Sequence, residues 1–341
     1  MKVLITGNQG YIGTHTSDHL VRKGYDVIGL DSGFYKDCIL SVSSSEIFTH
    51  QKDVRDAEKE DFSEIDVVVH LAALSNDPLG ELDSSLTYDI NYKAAVRIAE
   101  LSKAAGVSRF IFASTQSIYG ISNSKIDLDE DNSVKNPQTI YAISKWKAEQ
   151  EILEMGGPTF TPTALRPSTV FGWGSRLRSD IVFNNLLLTG LIKNRIEVHS
   201  DGSPWRPIVH IHDIALAVEN CIMSSSEKVR GRAFNVGVLN GNYTVKELAE
   251  AAQVCLRGVP IAFGTENIVD PRSYKVSFVR AFKELGFEAQ TTLVDGGAEI
   301  VQEAKILLAK NLNLMGRKTN RLLQIKYLIE KGLVDDSLRF K

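Results

Sequence analysis

The chain has 341 residues, of which 43% are hydrophobic and 24% are charged. This composition is typical of a folded globular protein with one large or two smaller domains, and it argues against disorder. A formal net charge of −3, from 39 Lys and Arg against 42 Asp and Glu, argues against a nucleic-acid partner. The sequence has no run of 18 apolar residues and no signal-like start, and its three cysteines are scattered without metal-ligand spacing. We therefore expect a cytoplasmic protein with no membrane partner, disulfide or metal.

The first 115 residues alternate short β-type runs with longer helical patterns, which indicates a parallel sheet with crossover helices. Strands are predicted at residues 3–6, 26–31, 47–51, 66–70 and 110–114. Helices are predicted at 11–23 and 84–105, the second from apolar residues that recur at i, i+4 spacing. This order predicts a doubly wound parallel α/β sheet, the Rossmann arrangement.

The second half of the chain is less regular. A helix at 139–155, strands near 163–166 and 208–210, and a helix at 244–254 are predicted, with Gly- and Pro-containing loops between them after about residue 167. We expect a Rossmann domain of residues 1–167 with a returning segment of about 208–238. Residues 168–207 and 239–341 are then expected to form a smaller α/β domain. The basic residues of segment 317–326 are interleaved with apolar ones, which favours an amphipathic surface helix.

A glycine-rich turn follows the first predicted strand and leads directly into the first predicted helix. It contains Gly7, Gly10 and Gly13. In this position glycines permit a tight turn, close approach of the backbone to a diphosphate, and close helix packing, while the helix N-terminus attracts the phosphates. The turn therefore predicts a dinucleotide site.

Asp31 closes the second predicted strand, where a carboxylate can accept both ribose hydroxyls of an adenosine. The same carboxylate would repel a 2′-phosphate, and no Arg follows it within residues 32–34. The sequence therefore predicts NAD rather than NADP.

The spacing Gly-x-x-Gly-x-x-Gly resembles that of the extended short-chain dehydrogenases/reductases, specifically the NAD-dependent nucleotide-sugar epimerases and dehydratases. Further matches follow in family order: Asp53-Val54, His70-Leu71-Ala72-Ala73, Ser114-Thr115-Gln116-Ser117-Ile118-Tyr119-Gly120, Tyr141-Ala142-Ile143-Ser144-Lys145, Leu165-Arg166-Pro167 and Arg206-Pro207-Ile208-Val209-His210. The resemblance covers nearly the whole chain. It implies an NAD-binding Rossmann domain and a smaller domain that binds a nucleotide-diphosphate sugar.

The resemblance also implies which residues contact the cofactor. These are Gly7, Gln9, Gly10, Tyr11, Ile12, Gly13, Asp31, Asp53, Val54, Leu71, Ala72, Ala73, Tyr141 and Lys145.

Tyr141 and Lys145 lie four residues apart on a predicted helix, so their side chains point the same way. A phenol of ordinary pKa near 10 needs a neighbouring cation to act as a base at neutral pH, and Lys145 supplies one. Thr115, at a predicted strand end, resembles the family's hydroxyl that hydrogen-bonds the reacting oxygen. These three residues are the predicted catalytic set.

Departures from the family pattern narrow the reaction. The sugar 4,6-dehydratases carry an Asp–Glu pair where this chain has Gln116 and Ser117, which cannot serve as the acid and base of an elimination. For the substrate, Thr169 replaces the family's usual Asn, and Asn184 is a candidate to compensate for it. Arg206 and Arg272 are candidate diphosphate ligands because their planar guanidinium groups bind phosphate oxygens in pairs.

We expect an NAD-dependent nucleotide-sugar epimerase that oxidises a sugar hydroxyl, at C4, to a ketone and returns the hydride to the other face. A 4-dehydrogenase or a 4-ketoreductase would use the same residues and remains an alternative, as does an NAD-binding sensor without chemistry. We also expect a homodimer, because the helices at 84–105 and 139–155 carry more apolar positions than one buried stripe needs. The alternative is that the C-terminal tail covers this surface in a monomer.

Overall fold

The computed structural model describes residues 1–341 except 42–45, 76–79, 81, 123–125 and 265–272. Its centre is a sheet of seven parallel strands in the order β10-β6-β5-β4-β1-β2-β3. These strands are β1 Lys2–Thr6, β2 Asp26–Asp31, β3 Thr49–Gln51, β4 Val67–His70, β5 Arg109–Ala113, β6 Thr161–Pro167 and β10 Arg232–Val236. The chain order reverses between β1 and β4, and such a switch point opens a crevice at the carboxyl ends of the strands.

Two small sheets lie outside the central one. Strands β7 Thr169–Phe171, β9 Trp205–His210 and β11 Asn242–Thr244 form a mixed three-stranded sheet, and β8 Ile196–Val198 pairs with β12 Ile261–Phe263. The helices are α1 Tyr11–Arg22, α2 Ser84–Tyr88 continuing to Ala95–Ala104, α3 Ile140–Glu154, α4 Val182–Lys193, α5 Ile211–Met223, α6 Ser226–Val229, α7 Val245–Cys255, α8 Val279–Leu285, α9 Leu293–Ala309 and α10 Arg321–Glu330.

Apolar side chains cover both faces of the central sheet. The strand β4 is buried along its whole length, as expected where helices lie on both sides of a parallel sheet. One core lies between the sheet and helices α2 and α3, and a second lies between the sheet and helices α1 and α5. A third core belongs to the small sheets with α4, α7 and α9. The prediction of a doubly wound α/β fold is confirmed.

A π-helical segment, Asp89–Ala94, lies within α2. It places the fully buried Asn91 so that its amide accepts a hydrogen bond from Leu74 N at 2.8 Å and donates one to Leu74 O at 3.0 Å. Segments of this type are frequent at functional sites. Here the segment fixes the loop that follows β4.

The predicted strands of the first half agree with the observed ones to within two residues. The strand near 208–210, which we assigned to the returning part of the Rossmann domain, lies instead in the three-stranded sheet. The seventh central strand is Arg232–Val236, which the sequence analysis missed although it lies inside the returning segment. The proposed domain boundaries remain a prediction.

The C-terminal segment packs against the rest of the protein more closely than a surface helix. Arg321, Gln324, Ile325 and Leu328 of α10 are buried, and the latter two belong to the core beneath α2 and α3. The Gln324 amide donates to Phe34 O at 2.9 Å. This end of the chain therefore lies against the loop that follows β2.

Candidate active site

A cavity of about 690 Å³ lies at the carboxyl ends of the central strands. One end is lined by the glycine turn and by the loops after β2, β3 and β4. Its middle is lined by the loop after β5 and by α3, and its far end by residues around β7, β8 and the start of β9. A single cavity thus joins the predicted dinucleotide site to the smaller sheets, where a second ligand has room.

The glycine turn adopts the geometry that its sequence predicts. Gly7 has φ of +75°, and a Cβ there would lie 2.8 Å from Ala72 N. A Cβ on Gly13 would overlap the carbonyl oxygen of Gly7. Both positions therefore require glycine, and the turn and the first turn of α1 stay close enough to β4 to form one wall of the cavity.

Most residues assigned to the cofactor line this cavity. They are Gly7, Gly10, Tyr11, Ile12, Gly13, Asp31, Asp53, Val54, Leu71, Ala72, Ala73, Tyr141 and Lys145. Gln9 does not line it, and its backbone N–H instead donates to Asp31 Oδ2 at 3.0 Å. The Tyr11 hydroxyl donates to Gly172 O at 2.7 Å, which ties α1 to the loop after β7.

Asp31 is a buried carboxylate at the end of β2. Burial raises its pKa, while N–H groups of Gly33 and Gln9 and the charges of Arg176 and Arg321 oppose the rise. Asp53 also faces the cavity, but Arg55 holds its carboxylate in an ion pair of 2.6 Å. Asp31 is thus the better placed of the two to accept ribose hydroxyls.

The predicted catalytic residues meet in the middle of the cavity, which Thr115, Tyr141 and Lys145 all line. Lys145 is almost fully buried, and its ammonium donates to Ala113 O at 2.8 Å and lies 4.7 Å from the centre of the Phe112 ring. Burial lowers the pKa of Lys145 to about 7. Thr115 lies two residues after the end of β5, and its hydroxyl accepts a hydrogen bond from Ser117 N at 3.1 Å.

The positions that distinguish dehydratases are occupied as the sequence indicates. Gln116 is buried away from the cavity, and its amide donates to Arg166 O at 3.0 Å. Ser117 lines the cavity. An elimination would require an acid and a base at these positions, and neither residue has a carboxyl group.

At the substrate end, Thr169 and Arg206 line the cavity. The assignment of Asn184 needs correction, because this side chain is fully buried and does not reach the cavity. Its amide accepts from Gly172 N at 3.2 Å and donates to Arg178 O at 2.9 Å, so it is occupied in holding the loop after β7. The neighbouring Asn185 lines the cavity instead. The fourth candidate, Arg272, lies outside the described residues.

Arg178, for which the sequence left a phosphate contact and a solvated side chain equally open, faces the cavity and forms an ion pair of 2.6 Å with Asp180. The sequence analysis missed two other residues of the cavity wall. Tyr35 and Arg321 also line it, with the guanidinium carbon of Arg321 4.3 Å from the Tyr35 ring centre. These residues come from distant segments, and no local pattern in the sequence brings them together.

A cluster of histidines lies beneath the loop after β7. The rings of His15 and His212 are 4.9 Å apart, and those of His210 and His212 are 4.8 Å apart. Burial lowers the pKa of His15 and of His210 to about 3. Among the residues that the structure describes, no three His, Cys, Asp or Glu side chains are grouped as for a metal ion.

Comparison with known proteins places these features in a family. The model of the NAD dependent epimerase/dehydratase family matches residues 3–237. The chain belongs to this family. The predicted family and the predicted cofactor, NAD, are confirmed, and membership makes the chain an enzyme of the NAD-dependent class.

Similar proteins extend over most of the chain. UDP-glucuronate 4-epimerase 4 of Arabidopsis thaliana is 28% identical over 333 residues, which cover 88% of this chain and 74% of that protein. Protein CapI of Staphylococcus aureus is 28% identical and covers 87% of this chain and 96% of its own length. The structure of MoeE5 in complex with UDP-glucuronic acid and NAD is 26% identical, with a TM-score of 0.77, and covers 90% of this chain and 100% of that chain.

No helix among the described residues has both the length and the apolar character needed to cross a membrane.

Proposed function

We propose that this protein is an NAD-dependent nucleotide-sugar epimerase that inverts C4 of a UDP-sugar through a 4-keto intermediate. The observation that carries the proposal is the single cavity in which the glycine turn and Asp31 lie at one end, Thr115, Tyr141 and Lys145 in the middle, and Arg206 at the far end. A cofactor and a nucleotide sugar placed end to end would meet at these three residues. The similarity to UDP-glucuronate 4-epimerases supports C4 as the reacting carbon.

In the proposed reaction, Tyr141 removes the proton of the C4 hydroxyl, and Thr115 orients the reacting oxygen by a hydrogen bond. NAD, when bound, supplies the nicotinamide that takes the hydride from C4 and gives it back. Tyr141 then returns its proton to the oxygen as the ketone is reduced on the other face. Epimerisation thus needs one residue to act first as base and then as acid.

Lys145 is proposed to set the protonation state of Tyr141 and to hold the nicotinamide ribose. Its buried ammonium has the backbone carbonyl of Ala113 as its hydrogen-bond acceptor. A positive charge beside a phenol favours the phenolate and so lowers the pKa of the phenol. Burial lowers the pKa of Lys145 to about 7, so we propose that its charge changes close to neutral pH in the cofactor-free protein.

For the substrate, we propose Thr169, Asn185 and Arg206 as ligands of the nucleotide diphosphate, with Arg272 retained from the sequence alone. The guanidinium of Arg206 suits phosphate oxygens because it presents paired donors. The similarity to enzymes named for UDP-glucuronate makes UDP-glucuronate the first substrate to test.

The experiment that tests this proposal is incubation of the purified protein with a panel of UDP-sugars, including UDP-glucuronate and UDP-glucose. Epimerisation predicts the C4 epimer as product, identified by NMR, with no net change in absorbance at the reduced-nicotinamide band. Steady accumulation of reduced cofactor and a 4-keto sugar would instead identify a 4-dehydrogenase. NADH-dependent reduction of a 4-keto sugar as the sole activity would identify a ketoreductase, and binding of NAD without turnover would identify a sensor.

We further propose a homodimer that pairs α2 and α3 across a two-fold axis. Most apolar positions counted in the sequence are buried in the chain's own core, among them Ile90, Ile98 and Ile152. What remains outside is an aromatic surface in which the Lys147 ammonium lies 5.0 Å from the Tyr88 ring centre and 5.8 Å from that of Tyr92. The C-terminal segment is hydrogen-bonded to Phe34 and Asp56, and its Ile325 and Leu328 join the core beneath α2 and α3.

We infer that the protein works in a reducing compartment, the cytoplasm. This proposal rests on the three cysteines, Cys38, Cys221 and Cys255, all of which are free thiols.

A further inference from the structure

Arg321 is a buried cation that forms no ion pair with a carboxylate among the described residues, although Asp31 and Asp180 line the same cavity. The residue is 2% exposed and lines the cavity. One nitrogen donates to Arg176 O at 2.6 Å, whereas Nη1 is buried without a hydrogen-bond partner. Within the described part of the chain, no carboxylate oxygen lies within the 4.0 Å of an ion pair with it. A buried charge of this type is costly unless an anion pairs with it.

Two further guanidinium groups lie near Arg321, and one of them, that of Arg178, lines the cavity. Nη1 of Arg176, a second buried guanidinium, also has no hydrogen-bond partner. Arg178 lines the cavity nearby, although Asp180 pairs with it. The side chain of Arg321 is held against the Tyr35 ring, which fixes the direction of its donors. A ligand that reaches this guanidinium would find its orientation already fixed.

The position of this wall relative to the glycine turn identifies the anion. Arg321 stacks on Tyr35 in the loop that follows β2, and Asp31 at the end of β2 accepts a hydrogen bond from Gln9 N inside the turn. The turn precedes α1, a helix of 12 residues whose N-terminus faces the cavity through Gly10 and Tyr11. Backbone N–H groups and the helix dipole at that point favour phosphate. Arg321 therefore lines the same cavity as the glycine turn, beside the loop that follows β2.

The position of Arg321 depends on segments far apart in the chain. Ser179 N donates to Thr319 O at 2.9 Å, and the Gln324 amide donates to Phe34 O at 2.9 Å. Thus the C-terminal segment is hydrogen-bonded to the loop after β7 on one side and to the loop after β2 on the other. The family model ends at residue 237, so this segment lies outside the matched region.

We propose that Arg321 is a cofactor-binding residue, which reaches from the C-terminal helix to the diphosphate of NAD and holds the dinucleotide in the site. Because hydrogen bonds attach the C-terminal segment to the loops after β7 and β2, α10 would then cover the diphosphate. An enzyme that oxidises a bound sugar and then reduces the same sugar needs the reduced cofactor to stay bound until the hydride has been returned. The inference depends on NAD as the cofactor and does not depend on the stereochemical outcome of the reaction.

The test measures binding, not turnover. Arg321→Met and Arg321→Lys are compared with the wild type in calorimetric titrations of cofactor-free protein with NAD, ADP-ribose and adenosine. Lys326→Met is the matched control, because Lys326 is an exposed cation of the same helix and does not line the cavity. We expect Arg321→Met to weaken NAD and ADP-ribose by about 10- to 100-fold, the contribution of one or two charge-assisted hydrogen bonds, with adenosine unchanged.

Arg321→Lys, which keeps the charge without the paired donors, should bind NAD with intermediate affinity, and Lys326→Met should match the wild type. NAD should also dissociate faster from Arg321→Met in a stopped-flow chase. Wild-type affinity for NAD in Arg321→Met would overturn the inference, as would an equal loss for adenosine, which would indicate a structural role. If Arg321→Met lost affinity for NADP alone, Arg321 would be assigned to a 2′-phosphate, and the inference would also be overturned. Failure of the wild type to bind NAD would contradict the cofactor itself.

Discussion

At the scale of single residues, the chemistry depends on a phenol and an ammonium that one helix presents to the same cavity. Tyr141 and Lys145 lie one turn apart on α3, and Lys145 is the more deeply buried. The hydroxyl of Thr115 comes from the neighbouring strand end. Each of the three residues has its own proposed role, so a substitution at each one tests that role separately.

Replacement of Tyr141 by Phe removes the proton-transferring group and keeps the ring. Turnover should fall by about 10²- to 10⁴-fold, the usual contribution of a positioned general acid or base. Affinity for the nucleotide sugar, measured by calorimetry, should change little. Near-wild-type turnover in this variant would contradict the proposed role of Tyr141.

The lowered pKa of Lys145 predicts how stability depends on pH. Its pKa is about 7 in the folded cofactor-free protein, compared with an ordinary value of 10.5. Between these values the unfolded chain binds the extra proton, so the free energy of unfolding should rise with pH from 7 towards 10.5, by at most about 1.4 kcal/mol per pH unit. Urea unfolding at pH 7 and pH 9 measures this slope. In Lys145→Met the slope should be smaller, and an unchanged slope would contradict the assignment.

At the scale of elements, the glycine turn places the backbone of β1, α1 and the loop after β4 within contact of one another. Gly13→Ala puts a methyl group on the Gly7 carbonyl, so the turn must move. We expect a loss of NAD affinity of at least about tenfold, because a displaced turn no longer aims its N–H groups at the diphosphate. Gly157→Ala is the control, since a Cβ there meets nothing within 4 Å. Equal NAD affinity in both variants would show that the turn tolerates the shift.

The histidine cluster joins α1 to the start of α5 and supports the loop after β7. A Cβ on Gly174 would lie 2.5 Å from His15 Nε2, which shows how closely the ring packs on that loop. The pKa of His15 and of His210 is about 3 in the fold, below the ordinary 6.5. The unfolded chain therefore binds more protons between pH 6.5 and 3.

Stability is thus expected to fall as the pH drops below 6.5, by up to about 1.4 kcal/mol per pH unit for each buried histidine. His15→Gln should reduce this acid sensitivity, as measured by urea unfolding at pH 7 and pH 5. His50→Gln, at an exposed position, should leave it unchanged. Identical pH dependence in the wild type and in His15→Gln would show that the cluster does not set acid stability.

At the scale of the whole molecule, the proposed dimer makes a prediction about mass. Light scattering at micromolar concentration should give twice the chain mass of 37.7 kDa. Tyr92→Arg, placed in the aromatic surface of α2 and α3, should shift the equilibrium towards monomer through charge repulsion across the two-fold axis. A wild-type mass near 37.7 kDa would reject the dimer. An unaffected dimer in Tyr92→Arg would place the interface elsewhere.

The sequence by itself determined the parts of this protein that depend on local chemistry. The glycine turn, Asp31, and the Tyr141 and Lys145 pair are each encoded within a few residues, and periodicity predicted most strands of the Rossmann half. The tertiary structure alone decided contacts between segments distant in the chain. In the structure, strand β9 lies outside the central sheet, and Asn185 rather than Asn184 lines the cavity. Arg321 lies beside the loop after β2. Such contacts depend on how whole elements pack, and the spacing of residues along one element carries no information about the element it will meet.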